Sequence, residues 1–463
     1  MSLVSFCFSQ ETRGLLDAVT KTADPTPSNN SRHTSVVGGS FAVALSTAIG
    51  LAGSFLLSVI VARLFGPEVK GQLALLLEIP LVAALILGLG FEGAKAYYVG
   101  RRLRLPEHAV SDSMYLALSL SLIGVPMVAI AMHQLIPALA TIPLVTIIAA
   151  SLALPFMMII NLLSGVLTGL GKVTEQAIAT TIAAIVSFLL AITLALLGHL
   201  TLHTLILATL AGLTCASIAM FVATKVKTLT APSHSRLREE ISYAGRSYVQ
   251  TIMGYLELRQ DLILLGVLTS ATSVGIYSIG VSIAEVLFYA PQAIAAALAA
   301  RAFQEGASEG AELTALITRL LSVLLLVASV ALMLAARTLV VTIFGEPFAE
   351  AALVIQILVP AIAIWGITAQ SSVYLASHGT LFPKLSVATL ILNLGLNILL
   401  IPELGIIGAA IAALISYTIG SAYIIGVFLK TTGIGLAGML IVRRSDIAFA
   451  LGAVRAFTKR KNS

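Results

Sequence analysis

The stretch Ala62–Gly100 reads ARLFGPEVKGQLALLLEIPLVAALILGLGFEGAKAYYVG, and its reading decides the fold. At Gly66–Pro67 a helix cannot run on, because proline has no amide hydrogen to donate and its ring clashes with the preceding turn. From Gly71 an apolar run resumes at the length a bilayer demands, about 20 residues. The stretch is therefore the end of one membrane span, a tight turn and a second span. About two hundred residues later the pattern returns as LLGVLTSATSVGIYSIGVSIAEVLFYAPQAIAAALAARAF, Leu264–Phe303, where Leu268 and Gly275 fall 204 positions after Leu64 and Gly71. A second pair of segments, starting at Gly169 and Ala376, aligns Gly171 with Gly379 at an offset of 208. Two hairpins repeating in the same order at nearly the same interval predict a duplicated multi-helix unit; chance similarity of apolar runs is the alternative.

Composition agrees. Of the 463 residues 58% are hydrophobic and only 10% charged, with a mean hydropathy of +1.03. Soluble chains carry about a quarter charged residues, so this is a polytopic membrane protein. Lys and Arg outnumber Asp and Glu 27 to 21. The basic residues are scattered among loops between spans, which reads as membrane topology rather than nucleic-acid binding. Cys7 and Cys215 form no readable disulfide framework.

Uncharged runs bounded by turn residues divide the chain into twelve predicted spans. The first six lie near Phe41–Ala62, Gly71–Tyr98, two within Asp112–Lys172 bent at His133–Pro137, and two within Gln176–Thr224 broken at Gly198–His203. The second six lie near Ile241–Val267, Ile276–Ala300, Leu313–Ala336, Ala352–Ala376, Pro383–Ile401 and Gly405–Leu429. The expected fold is all-α, two six-helix lobes related by a parallel pseudo-repeat, because an even number of spans per unit gives both halves one orientation. The expected domains are a disordered tail over residues 1–35, lobes over 36–225 and 241–430, a linker over 226–240, and a basic amphipathic tail over 431–463. Within that tail, Leu436–Phe457 carries Arg443, Arg444, Asp446 and Arg455 and reads as an interfacial amphipathic helix, with a thirteenth span as the alternative.

Orientation follows from the cations, which concentrate in cytoplasmic loops. Arg101, Arg102 and Arg104 crowd the loop after the second span, and Lys225, Lys227, Arg236 and Arg238 fill the central linker. Seven more follow Leu429, whereas the opposite loops hold Arg63, Lys70 and Arg337. Both termini are expected on the cytoplasmic side of the plasma (inner) membrane.

Ionisable groups inside spans are costly and mark function. In the seventh span Glu257 and Asp261 share a face at i,i+4 while Arg259 points elsewhere. Arg259 is expected to face the other half or a wet cavity, or to pair with a neighbouring carboxylate for packing. Glu285 lies ten residues after Gly275, about 15 Å along the axis and close to the midplane. Glu78 stands without a local partner, and Glu92 and Lys95 at i,i+3 are expected to satisfy each other, snorkel, or touch substrate. Prolines at 80, 126, 155, 291 and 360 predict bent spans. There is no phosphate-binding Gly-Lys-Ser loop, no Cys/His metal cluster and no nucleotide-sized soluble region, so neither an enzyme nor a cofactor is expected.

The turn ARLFGPEVKGQ with LGLGFEGAKAYYVGRR, and the later LRQDLILLGVLTSATSVGIYSIG, resemble the starts of the two halves of the Wzx-like oligosaccharide flippases. These belong to the multidrug/oligosaccharidyl-lipid/polysaccharide exporter superfamily, and the likeness runs from about Ser40 to Lys430. It implies a V of two lobes around a central cavity that moves an undecaprenyl-pyrophosphate-linked oligosaccharide from the cytoplasmic to the outer leaflet, in O-antigen, capsule or exopolysaccharide biosynthesis. A pyrophosphate needs buried cations; by that logic Arg259 is the first candidate for head-group contact, with Lys95 and Arg246 behind it. Arg101, Arg102 and Arg104 would attract the lipid at the cytoplasmic mouth, or serve only as an orientation signal. Glu285, Glu78, Glu257 and Asp261 are candidates for ion coupling or for lining the cavity. Partners implied are membrane lipids, a polysaccharide polymerase and glycosyltransferases. A drug or organic-cation antiporter of the same superfamily typically carries a carboxylate in its first span, and Phe41–Ala62 has none. The lipid II flippases of the superfamily usually have two further helices. A non-transporting scaffold is the reading from another class.

Overall fold

The computed structural model describes residues 30–302, 307–378, 382–443 and 446, and those residues form helices and connecting turns, with no strand among them. In the first half these are α1 (Asn30–Leu87), α2 (Phe91–Gly100), α3 (Pro106–Leu135), α4 (Leu144–Ser151), α5 (Ala153–Gly169), α6 (Val173–Leu196) and α7 (Leu202–Thr224). The second half contains α8 (His234–Leu268), α9 (Ala271–Ala284), α10 (Val286–Ala302), α11 (Ala307–Phe344), α12 (Ala351–His378), α13 (Phe382–Thr432) and the short α14 (Leu436–Leu440).

Eight helices among the described residues are long and apolar enough to cross a membrane, or nine when α9 and α10, bent by 43°, count as one. Two of the eight, Ala42–Leu87 and Leu385–Thr432, run to 46 and 48 residues. At 1.5 Å per residue each is about 70 Å long, more than twice the roughly 30 Å hydrocarbon core. Each is broken at a glycine with positive φ, Gly66 (75°) and Gly405 (56°), a conformation that costs a residue with a Cβ. Each therefore supplies two spans. The twelve expected spans are reached only by dividing these two helices and by counting α8, whose charges keep it out of the apolar set.

The duplication has a physical counterpart. Gly71 of α1 and Gly275 of α9, the pair set 204 residues apart in the sequence, lie against each other. A Cβ on Gly71 would overlap the carbonyl of Ala271 and sit 2.7 Å from the Gly275 nitrogen. A Cβ on Gly275 would overlap the carbonyl of Pro67 and sit 3.0 Å from the Gly71 nitrogen. Pro67 and Ala271 are again 204 apart, so the contact is reciprocal, as expected where a pseudo-two-fold axis passes between repeats. Arg63 closes the same end of the bundle, donating to the carbonyls of Ile343 (2.9 Å) and Thr342 in α11. Phe55 meets Phe344 edge to face at 5.8 Å beside it. A core running through both halves, with Leu75, Leu76, Tyr277, Val354 and Ile355 fully buried, continues inward from that seal.

Several boundaries differ from the sequence reading. Helix begins at Asn30, inside the tail expected to be disordered to residue 35; residues 1–29 lie outside the described residues. The seventh span begins at His234, within the expected linker, because its first turns are held by ion pairs to the first lobe. The C-terminal segment is not one helix from Leu436: α14 ends at Leu440, with Ile441 extended. There Arg319 of α11 takes the Gly438 carbonyl and pairs with Asp446 (2.7 Å), competing with helix continuation. Residues 447–463 and Gly379, the second repeat marker, lie outside the described residues.

Candidate functional site

Three helices deliver charge to one place at mid-bundle. Glu78 lies about 18 Å along α1 from Gly66, Glu285 about 15 Å along from Gly275, and Arg259 about 14 Å from the end of α8 at Leu268. The Arg259 guanidinium makes two contacts to Glu285, at 3.1 and 3.2 Å. Its Nε stands 3.6 Å from Glu78, and the Tyr255 hydroxyl donates to the same Glu78 oxygen at 2.7 Å. Glu78 belongs to the first half; Arg259, Tyr255 and Glu285 belong to the second. The cluster is thus an ion pair between lobes. The three charged side chains keep 27%, 17% and 20% of their surface exposed, so they line space rather than fill a core.

The backbone explains the placement. Glu285 sits at the joint between α9 and α10, where the 43° bend leaves the chain between two short helices. Half-helices of this kind place ligand-binding groups in transporters. Glu78 stands two residues before Pro80 in α1. Arg259 is separated from Glu257 and Asp261 by the 3.6-residue period, and the two acids turn into their own lobe. The Asp261 carboxylate accepts from the Tyr277 hydroxyl and, at 2.7 Å, from the Leu262 amide. Glu257 lines a cavity of about 160 Å³ with Trp365, Thr389 and Tyr417. Beside it Gln260 donates to Asn393 at 2.7 Å, and Asn397 donates to the same oxygen at 2.7 Å.

Of the sequence candidates, the structure brings together Arg259, Glu285 and Glu78. Lys95 stands apart. It is fully buried against Glu240 at 2.9 Å, not against Glu92, which is exposed. Arg104 meets Glu240 and Glu239, each at 2.8 Å, and stacks over Tyr98. Arg236 pairs with the buried Asp112 at 2.8 Å. Lys95 and Arg104 are therefore committed to fastening the start of α8 to α2 and the loop after it, and Asp112 ties the same turns to α3. Arg101 and Arg102 are exposed, Arg101 lying over the Tyr97 ring, so the three arginines do not converge. Arg246 lies on α8, and its side chain lies outside the described residues. Sequence reading missed Glu239, Glu240, Asp112 and Tyr255; the only signal was two adjacent acids in a segment taken as linker. No group of three or more metal-ligating side chains occurs among the described residues.

A bundle of apolar helices in two repeats, joined at one end by backbone contact and at mid-depth by a partly exposed ion cluster, defines a polytopic membrane protein built from two lobes. A family model described as "Polysaccharide biosynthesis protein" matches residues 60–353, and the chain belongs to that family. The resemblance to Wzx-like flippases holds. No curated protein matches the chain. Among solved structures, "Lipid II flippase MurJ, inward closed conformation" aligns with TM-score 0.68 at 13% identity, covering 86% of this chain and 90% of that one. An inward-facing multidrug resistance MATE family transporter of the MOP superfamily aligns with TM-score 0.67 at 17% identity, covering 84% and 94%. A MOP superfamily transporter from Pyrococcus furiosus aligns with TM-score 0.56 at 16% identity, covering 85% and 95%. At such identities these likenesses establish the fold, the V-shaped MATE-like one expected.

Proposed function

We propose that the protein flips an undecaprenyl-pyrophosphate-linked oligosaccharide from the inner to the outer leaflet by alternating access, with both termini cytoplasmic. One observation carries this reading: a guanidinium held at mid-bundle between carboxylates of the two lobes, with part of its surface open. Guanidinium and phosphate match in fork geometry, and the pair is strongest where water is scarce. Glu78 and Glu285 stand against Arg259 where phosphate oxygens would stand. The arriving pyrophosphate exchanges with them for Arg259, which releases Glu78 and with it the tie between the lobes. Opening toward the outer leaflet then separates Gly71 from Gly275 and Arg63 from α11, while the Lys95–Glu240 pair keeps α8 on the first lobe.

The organic-cation antiporter reading fits less well. A cation would have to bind beside Arg259, and the first span lacks a carboxylate. The test is complementation: the chain is expressed in cells lacking their own oligosaccharide flippase, and surface polysaccharide is scored with Arg259→Ala alongside. Restoration by the wild type and loss in a normally expressed Arg259→Ala supports the reading. No restoration, together with resistance to cationic dyes, overturns it in favour of drug export.

A further inference from the structure

Away from the central cluster, the first lobe holds a cavity of about 330 Å³ between α1, α6 and α7. Its polar lining is Ser54, Ser58, Lys70, Thr180, Ser187 and Thr209, set among leucines and alanines, and no carboxylate lines it. The matching space in the second lobe has the opposite sign, with Glu257 as its charge.

Lys70 is only partly exposed and has no hydrogen-bond or ion-pair partner among the described residues. Thr180 and Thr209 spend their hydroxyl protons on the carbonyls of Ala177 and Leu205, both at 2.9 Å. The hydroxyls of Ser54, Ser58 and Ser187 have no such acceptor among the described residues. One ammonium and three undonated hydroxyls therefore face a space with room for about ten waters. An ammonium among apolar side chains without a counter-charge is costly. The ammonium can only donate, each of the three hydroxyls has a proton to give, and no carboxylate lines the space, so the partner that suits them is an acceptor carrying negative charge.

We propose that this cavity is an anion site, with Lys70 as the counter-charge and Ser54, Ser58 and Ser187 as donors, taking a phosphate-class group. Free phosphate and the headgroup of an anionic lipid offer the same oxygens. The site is separate from Arg259 and does not depend on what the central cluster transports. Lys70 directly precedes Gly71, so an occupant would sit one residue from the contact between the lobes.

The test uses the full chain in phosphatidylcholine nanodiscs, with thermal unfolding followed by Trp365 fluorescence. In one arm inorganic phosphate is titrated against a chloride control of equal ionic strength; in the other, phosphatidylglycerol replaces part of the lipid. A saturable stabilisation in either arm, weakened about tenfold or more in Lys70→Gln, kept in Lys70→Arg and kept in Arg259→Gln, is the expected result; one charge-assisted hydrogen bond is worth about that factor. The responding arm identifies the source. Should Lys70→Gln fail to fold, the double variant Ser58→Ala/Ser187→Ala is expected to show the weakening. No stabilisation of the wild type in either arm, or an equal response in Lys70→Gln or in the foldable serine variant, overturns the proposal.

Discussion

Gly71→Ala isolates the contact on which closure of one end depends. Alanine is the better helix former by about 1 kcal/mol, so propensity alone would favour the variant. The added methyl would instead overlap the Ala271 carbonyl and crowd the Gly275 nitrogen at 2.7 Å. Ordinary carbon–oxygen contacts lie near 3.3–3.6 Å, so the helices must part by on the order of 1 Å. Both opposing atoms are backbone, and no rotamer change relieves the overlap. Overpacking of this kind costs about 1–3 kcal/mol. The cost falls only on the arrangement in which the lobes touch here, so the open arrangement gains roughly 5–150-fold in relative population. Spin labels at the exposed positions Glu68 and Glu350, in a Cys7→Ser/Cys215→Ser background, report that end by pulsed dipolar spectroscopy. A longer-distance population is expected to grow in Gly71→Ala and in Gly275→Ala, and to grow in the double variant by less than the two effects combined, since both strain one interface. Distances identical to wild type in all three variants, at normal thermal stability, would refute the reasoning.

Other outcomes follow from the ion pairs. Lys95→Met leaves Glu240 buried with half its partners and is expected to cost about 3–5 kcal/mol; Lys95→Met/Glu240→Met recovers much of it, which thermal unfolding in detergent would show. Arg259→Lys keeps the charge but loses the fork to Glu285, so the glycan restored in complementation falls well below wild type at equal expression. The Asp446 carboxyl is held below its ordinary value of 3.8 by hydrogen bonds from Arg319 and from the Arg443 amide. A carboxylate lowered on folding stabilises above its unfolded value, and that contribution is lost as pH falls through the folded one. The melting-temperature gap between wild type and Asp446→Asn is therefore expected to be constant from pH 8 to about 5 and to close below about 4.

How much of this was legible in the sequence depends on the range of each interaction. The hairpin at Gly66 and the repeat at Gly275 could be read because proline, glycine and span length act locally. The divergence of Arg259 from Glu257 and Asp261 is a property of one helix, and so it too could be read. That Arg259 would take carboxylates from both lobes was open, since neither Glu78 nor Glu285 indicates a partner by its spacing. Lys95 misled: its nearest acid in sequence is Glu92, but its partner is Glu240, 145 residues on. The start of α8 was hidden for the same reason. Its polar turns look like linker until Asp112, Lys95 and Arg104 neutralise them. The serines around Lys70 carry no pattern in the chain and become a site only when α1, α6 and α7 pack.

The central claim, that the cluster at Arg259 serves a pyrophosphate-linked glycan, is tested most directly in proteoliposomes. An undecaprenyl-pyrophosphate-linked oligosaccharide is placed in one leaflet, and its arrival in the other is followed by access to an added glycosidase. The account predicts arrival with the wild type, and none above empty liposomes with Arg259→Ala folded and inserted normally. Equal arrival with the wild type and Arg259→Ala, or none with either, would contradict it.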